Sequence, residues 1–481
     1  MKAARDVFTL AGDDTARLGA IRLAGLSADT RTLQAGEAFF AVPGARDDGA
    51  RFIADAQAKG AALIVGERAP ESLATPFLRV ADVRRALAQG AARFYDGQPK
   101  TILAITGTSG KTSVAAFARQ VFAALGREAA SLGTIGIVSR TVNVYGSLTT
   151  PDPIALHKLL ARLARAGVTH LTMEASSHGL DQKRLDGVRL SGAAFTNLSR
   201  DHLDYHPSEE AYFAAKMRLF DTLAPPGAPA VIDADTAVAA RVASIAAARG
   251  LRALTVGERG AAIRVAARKR EGFSTRLTLV VDGGTYDVLL PLTGDFQASN
   301  ALVAAGLAIG CGEDVAATLA TLAHLEGAPG RLEKIGERAG APVLVDYAHK
   351  PDALEKALAA LRPFVTGRLI VVFGCGGDRD PGKRPMMGAI AAKGADVVIV
   401  TDDNPRSEDP KTIRAAILSA APGAREIGDR AQAIRAGVAM LRAGDALLIA
   451  GKGHETGQIV GTAVLPFNDA DEARTALREA A

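Results

Sequence analysis

Residues 101–113 read TILAITGTSGKTS, an apolar run that leads into a glycine-rich loop carrying a lysine. A continuous apolar run bounded by turn residues is typical of a strand in a parallel sheet that is buried on both faces. The loop is shorter than the usual phosphate loop, because Ile105 occupies the position of its first glycine. Its glycines let backbone N–H groups face phosphate oxygens, Lys111 can neutralise the terminal phosphates, and Thr112 can hold Mg²⁺. The stretch therefore predicts a strand, a phosphate loop and a helix in succession, with ATP as the ligand.

Similar apolar runs recur along the chain and alternate with alanine-rich helical segments. The predicted strands are Ala62–Val65, Thr101–Thr106, Val168–Glu174, Val343–Asp346, Leu369–Gly374, Val397–Asp402 and Ala446–Gly451. The predicted helices include Ser113–Leu125, Glu209–Leu223, Pro351–Leu361, Pro410–Ala420 and Arg430–Leu441. This alternation predicts an α/β fold with parallel sheets. One part departs from it, since Ala262–Val281 and Tyr286–Leu290 predict antiparallel strands with a hairpin turn at Asp282–Gly284.

The length of 481 residues predicts roughly three domains. Turn-rich stretches near residues 98 and 330 suggest domains of residues 1–98, 99–330 and 331–481. The second domain carries the phosphate loop on a parallel sheet, with the antiparallel strands as a small additional or edge sheet. The third repeats the strand–helix alternation.

The composition excludes several classes of protein. Hydrophobic residues make up 48% and charged residues 23%, as in ordinary globular proteins. The net charge is only +5 and the basic residues are scattered, so we expect no nucleic-acid partner. No apolar run approaches the roughly 18 residues of a membrane span, and the N-terminus lacks the apolar region of a signal peptide. With only two cysteines, we expect a cytoplasmic protein that does not bind membranes.

Polar and glycine-rich segments follow the predicted strands, and ligands of open α/β sheets bind beyond the carboxyl ends of strands. These segments are Thr106–Thr112, Glu174–His178, Asp346–His349, Gly374–Arg379, Asp402–Arg406 and Gly451–Glu455. The last three contain two arginines together with acids and an amide. Such a set suits a zwitterion with more than one carboxylate, because arginine binds carboxylate with two hydrogen bonds.

Glu174 and His202 are candidate ligands of a hard metal ion in polar loops. Magnesium prefers oxygen ligands and imidazole is an unusual one, so from the residues alone His202 could equally be a hydrogen-bonded loop histidine. From the residues alone Lys216, in the predicted helix Glu209–Leu223, could be a solvated surface lysine.

Eleven motifs occur in one order along nearly the whole chain: SADTRTLQAGEAFFAVPG, GTSGKTS, SLTTPDP, MEASSHGLDQKRL, TNLSRDHLDYH, AYFAAKMRLF, GRLE, VDYAHKPDALE, VFGCGGDRDPGKRPMMG, TDDNPR and AGKGHE. Together they resemble the Mur ligases, the ATP-dependent amino-acid ligases of peptidoglycan precursor synthesis. The resemblance is strongest to members that add meso-diaminopimelate to the D-Glu γ-carboxylate of UDP-MurNAc-L-Ala-D-Glu through an acyl phosphate. It implies an N-terminal UDP-binding domain, a central ATPase using Mg²⁺ and a C-terminal Rossmann-like domain for the amino acid, in a monomer.

The resemblance also implies roles for individual residues. The implied ATP contacts are Gly107, Thr108, Ser109, Gly110, Lys111, Thr112, Ser113, Asn300, Arg331 and Asp346, with His349 near the phosphates. The implied catalytic residues are Lys111, Lys216 and His349, and the implied Mg²⁺ contacts are Thr112, Glu174, His202 and Lys216, the last as a carbamylated lysine. The implied substrate contacts are Ala28 and Thr30 for the uridine, Thr149, Thr150, Ser176, Gln182 and Arg184 for the muramoyl dipeptide, and Arg379, Asp403, Asn404, Pro405, Arg406, Gly451 and Glu455 for diaminopimelate.

The chain departs from the family pattern at a few positions. Ser109 stands where asparagine is frequent, Thr30 where serine is common, and Ala-Arg-Asp at 45–47 replaces a frequent His-Gln-Ala near the UDP. Three other functions stay open. A lysine-adding homologue usually lacks the arginine at 406, a folylpolyglutamate synthetase lacks the N-terminal domain and the DNPR loop, and an ATPase switch or motor would hydrolyse ATP without an acceptor amine.

Overall fold

The computed structural model describes residues 1–44, 48–146 and 148–480. The chain divides into two compact units. The first comprises residues 1–111, 122–255 and 310–312, and the second comprises residues 112–121, 256–309 and the chain from 313 onward. This division does not test the domain boundaries near residues 98 and 330, which stay predictions.

The described strands and helices alternate along most of the chain. The strands are β1 (Lys2–Ala3), β2 (Arg22–Leu23), β3 (Leu26–Ser27), β4 (Ala38–Phe40), β5 (Leu63–Gly66), β6 (Phe77–Arg79), β7 (Thr101–Thr106), β8 (Ala129–Gly133), β9 (Gly136–Ser139), β10 (Val144–Tyr145), β11 (His170–Glu174), β12 (Gly192–Phe195), β13 (Pro229–Asp233), β14 (Arg252–Gly257), β15 (Ile263–Glu271), β16 (Ser274–Val281), β17 (Gly284–Leu290), β18 (Glu333–Arg338), β19 (Ala341–Asp346), β20 (Leu369–Phe373), β21 (Val397–Val400), β22 (Arg425–Glu426), β23 (Ala446–Ala450), β24 (Gly457–Val460) and β25 (Ala463–Pro466). The α-helices are α1 (Ala4–Val7), α2 (Asp13–Leu18), α3 (Ile53–Ala58), α4 (Val83–Tyr95), α5 (Lys111–Ala124), α6 (Pro153–Arg165), α7 (Ser177–Asp181), α8 (Glu209–Arg218), α9 (Ala239–Ala248), α10 (Asp295–Gly310), α11 (Val315–Thr321), α12 (Pro351–Leu361), α13 (Lys383–Gly394), α14 (Pro410–Leu418), α15 (Arg430–Ala439) and α16 (Asp469–Glu479). Short 3₁₀ segments lie at Gly49–Phe52, Leu322–His324 and Arg362–Phe364, and a π-helical turn, Leu219–Leu223, follows α8.

The N-terminal part is built on a parallel sheet in the order β3-β4-β5-β6. Its strands are apolar on both faces: Phe40 and Leu63 pack into one core, and Phe39 and Ile64 pack into another. Burial on two faces explains why these strands are continuous apolar runs rather than alternating ones.

The central sheet runs in the order β10-β9-β8-β11-β7-β12-β13-β14-β15-β16-β17. Strands β8, β11, β7, β12 and β13 are parallel, and β15 to β17 are antiparallel. The predicted antiparallel strands are therefore an edge of the large sheet. Val281 pairs with Gly284, so the hairpin turn is Asp282-Gly283, one residue shorter than predicted. Both turn residues have positive φ, 49° and 79°, as a type I′ turn requires.

The C-terminal sheet runs in the order β18-β19-β23-β20-β21-β22, and only β18 is antiparallel to its neighbour. Alternate strand residues enter two cores. Val371 and Phe373 pack with α12, α13 and α14, whereas Ile370 and Val372 pack with α15 and α16. Helices thus cover both faces, which confirms the predicted α/β class and the Rossmann-like C-terminal domain. None of the described helices combines the length and apolarity that crossing a membrane requires.

Packing of α6 buries a histidine. His157 is 1% exposed, and its Nε2 atom has no hydrogen-bond partner among the described residues. Desolvation, reinforced by the charge of Arg189, lowers the pKa of His157 to about 4. The pKa of a histidine in an unfolded chain is about 6.5. As the pH falls through this window, the unfolded chain binds a proton that the folded chain excludes.

We therefore expect acidification from about pH 6.5 to about pH 4 to remove about 3 kcal/mol of stability through His157. Thermal unfolding midpoints measured across this range should fall more steeply for the wild-type chain than for His157→Gln. His324→Gln, a change at an exposed histidine, is the matched control and should keep the wild-type slope. Equal slopes for wild type and His157→Gln would contradict the prediction.

Candidate active site

The phosphate loop lies between β7 and α5 and is braced by the segment after β12. Gly107 has a φ of 144°, and a Cβ atom there would lie 1.9 Å from Thr196 Oγ1, so the position requires glycine. Thr108 N donates to Asn197 O at 2.9 Å, and Ser109 N donates to Asn197 Oδ1 at 3.0 Å. Thr108 and Ser109 are both predicted phosphate contacts, and their backbone N–H groups therefore stabilise the conformation of the loop. Sequence reasoning missed Asn197, although it stands in the motif TNLSRDH.

The first turn of α5 follows directly from the loop. Gly110 has a φ of 86°, which allows the chain to enter the helix at Lys111. Thr112 and Ser113 are 8% and 3% exposed. A helix N-terminus with a lysine beside it favours bound anions, so this turn has the chemistry expected of a phosphate site.

Two lysine side chains share one carbonyl oxygen of the loop. Lys111 Nζ donates to Gly107 O at 2.9 Å, and Lys216 Nζ donates to the same oxygen at 2.8 Å. Lys216 is 1% exposed and its Nζ lies 4.2 Å from the Tyr212 ring centroid. Desolvation and then repulsion by Lys111 lower the pKa of Lys216 well below its usual range, against weaker attraction by Asp201. The alternative of a solvated surface lysine is therefore wrong.

Glu174 ends β11 beside the phosphate-loop strand, in register with Ile105. Its carboxylate is buried, with Oε1 accepting from Thr134 N at 2.8 Å and Oε2 accepting from Thr134 Oγ1 at 3.4 Å. Thr134 Oγ1 also lies 3.0 Å from Thr149 Oγ1. A buried carboxylate at this edge of the sheet has the oxygen chemistry that Mg²⁺ prefers.

The residues predicted for the muramoyl dipeptide form one hydrogen-bonded network with Glu174. Thr150 Oγ1 donates to Glu174 O at 3.0 Å and accepts from Ser176 N and Oγ at 3.0 and 3.1 Å. Arg184 Nη1 donates to Thr150 O at 2.5 Å, and its Nη2 donates to Gln182 Oε1 at 2.8 Å. The structure thus brings together Thr149, Thr150, Ser176, Gln182 and Arg184.

Tyr205 supports this network and was missed from the sequence. Its hydroxyl accepts from Gln182 Nε2 at 3.2 Å and donates to Asp181 Oδ2 at 2.7 Å. Its ring lies 4.0 Å from the His178 ring, between centroids. The motif TNLSRDHLDYH contains this tyrosine and was the only signal for it.

His202 has a left-handed backbone, with a φ of 54°. Its Nε2 atom lies 3.7 Å from Asp201 Oδ2, and its ring centroid lies 4.9 Å from that of His178. No cluster of three or more His, Cys, Asp or Glu in the described chain is placed to hold a metal. A magnesium ion at Glu174 and His202 would therefore need other oxygen ligands, such as water or a modified Lys216.

The residues predicted for the rest of the nucleotide also come together. Asn300 Nδ2 donates to Gln297 Oε1 at 3.4 Å, and Gln297 Nε2 donates to Arg331 O at 2.9 Å. Leu332 N donates to Asp346 Oδ2 at 2.8 Å. Desolvation raises the pKa of Asp346 to about 6, although Arg331 and backbone N–H groups oppose the shift.

His349 lies next to this group. Its ring centroid is 4.6 Å from that of Tyr347, over which the Arg331 guanidinium lies at 5.2 Å. His349 Nδ1 is 2.8 Å from Tyr347 O, and since a carbonyl only accepts, Nδ1 carries the proton and Nε2 is the acceptor of the neutral ring. Desolvation lowers the pKa of His349 and favours this neutral form.

The residues predicted for the amino acid lie on loops that follow three neighbouring strands, β23, β20 and β21. Asn404 Nδ2 donates to Glu455 Oε2 at 3.0 Å, and a Cβ at Gly451 would lie 2.8 Å from Asp403 Oδ2. Arg406 has a φ of 52°, and its Nη1 donates to Gly377 O at 2.8 Å.

Two further residues of this group differ in exposure. Pro405 is buried, and Arg379 is exposed with its Nη1 donating to Asp378 O at 3.0 Å. Lys452 lies between Asn404 and Glu455 and was missed from the sequence, although the motif AGKGHE contains it.

The N-terminal predictions concern the loop after β3. Ala28 is exposed, and Thr30 O accepts from Lys59 Nζ at 2.7 Å. Both lie at the carboxyl end of a parallel strand, where ligands of such sheets bind. The altered residues 45–47 lie outside the described chain.

Comparison with known proteins places the chain in a family. Three family models match the chain: "Mur ligase family, catalytic domain" over residues 22–95, "Mur ligase middle domain" over residues 105–308, and "Mur ligase, glutamate ligase domain" over residues 330–453. Together the three models match residues of the N-terminal, central and C-terminal sheets.

Two relatives that align along nearly their whole length share one name. A protein of Bradyrhizobium diazoefficiens named UDP-N-acetylmuramoyl-L-alanyl-D-glutamate–2,6-diaminopimelate ligase is 61% identical over 475 residues, 97% of this chain and 98% of the relative. Its namesake from Mesorhizobium japonicum is 58% identical over 464 residues, 96% of each. A solved structure of a ligase with this name has a TM-score of 0.75, is 34% identical and covers 99% of both chains. The chain belongs to the Mur ligase family.

Proposed function

We propose that this chain is an ATP-dependent amide-forming ligase that adds meso-diaminopimelate to the D-Glu γ-carboxylate of UDP-MurNAc-L-Ala-D-Glu. The full-length relatives that carry the diaminopimelate name support this function. The reaction belongs to peptidoglycan precursor synthesis, in the cytoplasm where ATP is available. The observation that carries the proposal is that the loops after β21 and β23, the two strands that flank β20, meet each other. Asn404 Nδ2 donates to Glu455 Oε2 at 3.0 Å, and Arg406 follows Asn404 by two residues, so one site has both cationic and anionic groups.

The reaction needs a leaving group, because a bare carboxylate is a poor acyl donor. The γ-carboxylate takes the γ-phosphoryl group of ATP, and the amine of diaminopimelate then displaces phosphate through a tetrahedral intermediate. The Lys111 ammonium neutralises phosphate charge, and the Arg184 network orients the dipeptide. The neutral His349 offers Nε2 as a hydrogen-bond acceptor near the nucleotide.

ATP is the proposed nucleotide, and a MurF ligase of Thermotoga maritima that shares the fold was solved in complex with ADP. Magnesium fits the residues present, because the buried Glu174 carboxylate supplies oxygen ligands. When bound, Mg²⁺ supplies positive charge to the phosphate oxygens. Lys216 as an amine is not an oxygen ligand, and it fits only as a carbamate.

A phosphate-release assay tests the function. We expect release of phosphate from ATP only when UDP-MurNAc-L-Ala-D-Glu and diaminopimelate are both present. Release without an acceptor amine would favour an ATPase switch or motor, and release with a folate and glutamate would favour a folylpolyglutamate synthetase. Activity with a folate and glutamate would also leave unexplained why residues 22–95 match a Mur ligase family model.

The choice of amino acid depends on Arg406. Diaminopimelate differs from lysine by one distal carboxylate. Lysine would leave the Arg406 guanidinium without this partner, and the loss of such a charged pair in a closed site costs about 3 kcal/mol or more. We therefore expect kcat/KM for diaminopimelate to exceed that for lysine by about 10²-fold or more. Arg406→Gln should lower kcat/KM for diaminopimelate by a similar factor and leave the value for lysine nearly unchanged.

Arg425→Gln is the matched control, because Arg425 is an exposed arginine of the same domain. Equal kcat/KM values for lysine and diaminopimelate with the wild-type enzyme would refute the assignment and favour a lysine-adding homologue.

A further inference from the structure

Lys452 is a fully buried lysine in the loop after β23, with 0% of its surface exposed. Lysine is almost never fully buried unless its charge is paired. The loop reaches this arrangement through Gly451 and Gly453, whose φ values of 116° and 54° turn the chain back on itself. Glu455 N donates to Lys452 O at 3.0 Å, which closes the turn and brings the two side chains together.

The Lys452 ammonium binds two side chains that we have placed in the amino-acid site. Its Nζ donates to Glu455 Oε2 at 2.9 Å and to Asn404 Oδ1 at 3.0 Å. Ile459 N also donates to Asn404 Oδ1, at 2.9 Å. Two donors on this oxygen fix the orientation of the amide, so that Asn404 Nδ2 points to Glu455 Oε2 at 3.0 Å.

These bonds leave the Glu455 carboxylate asymmetric. Both hydrogen bonds that the carboxylate accepts in the described chain end on Oε2, and the side chain is 29% exposed. One oxygen is thus held inside the protein, and Oε1 remains able to accept from a ligand. A carboxylate fixed in this way is preorganised for an ammonium group.

We propose that Lys452 is a positioning residue for the amino-acid substrate: it holds Asn404 and Glu455 in the geometry that receives an ammonium group of the diamino acid. The inference rests on the proposed function, since it assigns the site to that substrate. Lys452 does not itself touch the substrate, because its ammonium is enclosed by protein. Its effect therefore passes through Glu455 and Asn404.

Kinetics of the full-length enzyme test this role. With ATP and UDP-MurNAc-L-Ala-D-Glu saturating, we expect Lys452→Met to raise KM for diaminopimelate about 30-fold, as expected for the loss of hydrogen bonds to a charged group. The KM values for ATP and for the UDP substrate should stay within about twofold of wild type. Lys411→Met, at an exposed lysine of the same domain, should change none of them.

A double-variant comparison separates positioning from a general structural role. Glu455→Gln alone should raise KM for diaminopimelate, and adding Lys452→Met should raise it by less than about threefold further, because the second change acts through a group already removed. Losses that multiply in the double variant, or a normal KM in Lys452→Met, would overturn the inference while leaving the ligase function standing. If Lys452→Met also loses ATP binding, Lys452→Gln replaces it with the same expected outcomes.

Failure of the underlying function gives a different pattern. A wild-type enzyme without diaminopimelate-dependent phosphate release would overturn the proposed function, and this inference with it. An unchanged KM for diaminopimelate in Glu455→Gln would overturn the placement of the site and the positioning role together.

Discussion

Lys111→Ala is expected to lower kcat for phosphate release by about 10³-fold, with the chain still folded. The Lys111 ammonium stands at the first residue of α5, where the helix N-terminus adds its own partial positive charge. It is also anchored to the carbonyl oxygens of Gly107 and Thr108 at 2.9 and 2.8 Å, so the charge is fixed before substrates bind. A preorganised cation has no reorganisation to undergo when negative charge develops on the transferring phosphoryl group.

The measurement is single-turnover phosphate release with saturating substrates, which reports chemistry rather than binding. Lys100→Ala is the matched control, since Lys100 is an exposed lysine just before β7. The midpoint of thermal unfolding should be similar in both variants. Near-normal turnover in Lys111→Ala would show that Lys111 is not a catalytic residue.

The α/β class and the positions where strands end could be predicted from sequence, because both follow from short runs of neighbouring residues. Strands such as Leu369–Phe373 are buried on both faces, so every position is apolar and the run is visible in the sequence. The loops that follow them carry the polar residues, and the rule for parallel sheets places those loops at one edge. Loops 403–406 and 451–455 accordingly meet in the structure.

The state of the two buried lysines could not be predicted in this way. Lys216 donates to a carbonyl 109 residues away, and Lys452 pairs with Asn404, 48 residues away. Desolvation depends on the tertiary packing around each ammonium, and nothing adjacent in sequence distinguishes these lysines from exposed ones. The single helix predicted over Glu209–Leu223 is in fact two elements: α8 ends at Arg218, and a π-helical turn follows it. The sequence could not show this, because the apolar pattern of so short a segment does not distinguish an α-helix from a π-helix.

Lys216→Ala is expected to lower kcat by about 10²-fold or more, and short carboxylic acids such as formate or acetate should restore part of the activity. In the structure the Lys216 amine donates to the same Gly107 oxygen as Lys111, so two potential cations compete for one site. Desolvation and this like charge both favour the neutral amine. A neutral amine nitrogen can form a bond to the carbon of CO₂ and release one proton, which yields a carbamate with one negative charge. The modification would convert repulsion by Lys111 into attraction and would give Lys216 the oxygen ligands that Mg²⁺ requires.

Rescue distinguishes this role from simple packing, because a carboxylic acid can replace the carbamate oxygens but cannot replace the missing aliphatic chain. Lys158→Ala is a suitable control, since Lys158 is an exposed lysine of α6 and its variant should be fully active without added acid. In wild-type enzyme at high bicarbonate, the intact mass after chemical trapping of the carbamate should increase by the mass of CO₂ plus that of the trapping group. Lys216→Ala that no carboxylic acid rescues, together with an unmodified wild-type lysine, would limit Lys216 to bracing the phosphate loop through Gly107. In that case Glu174 and His202 would have to hold magnesium with water as the remaining ligands.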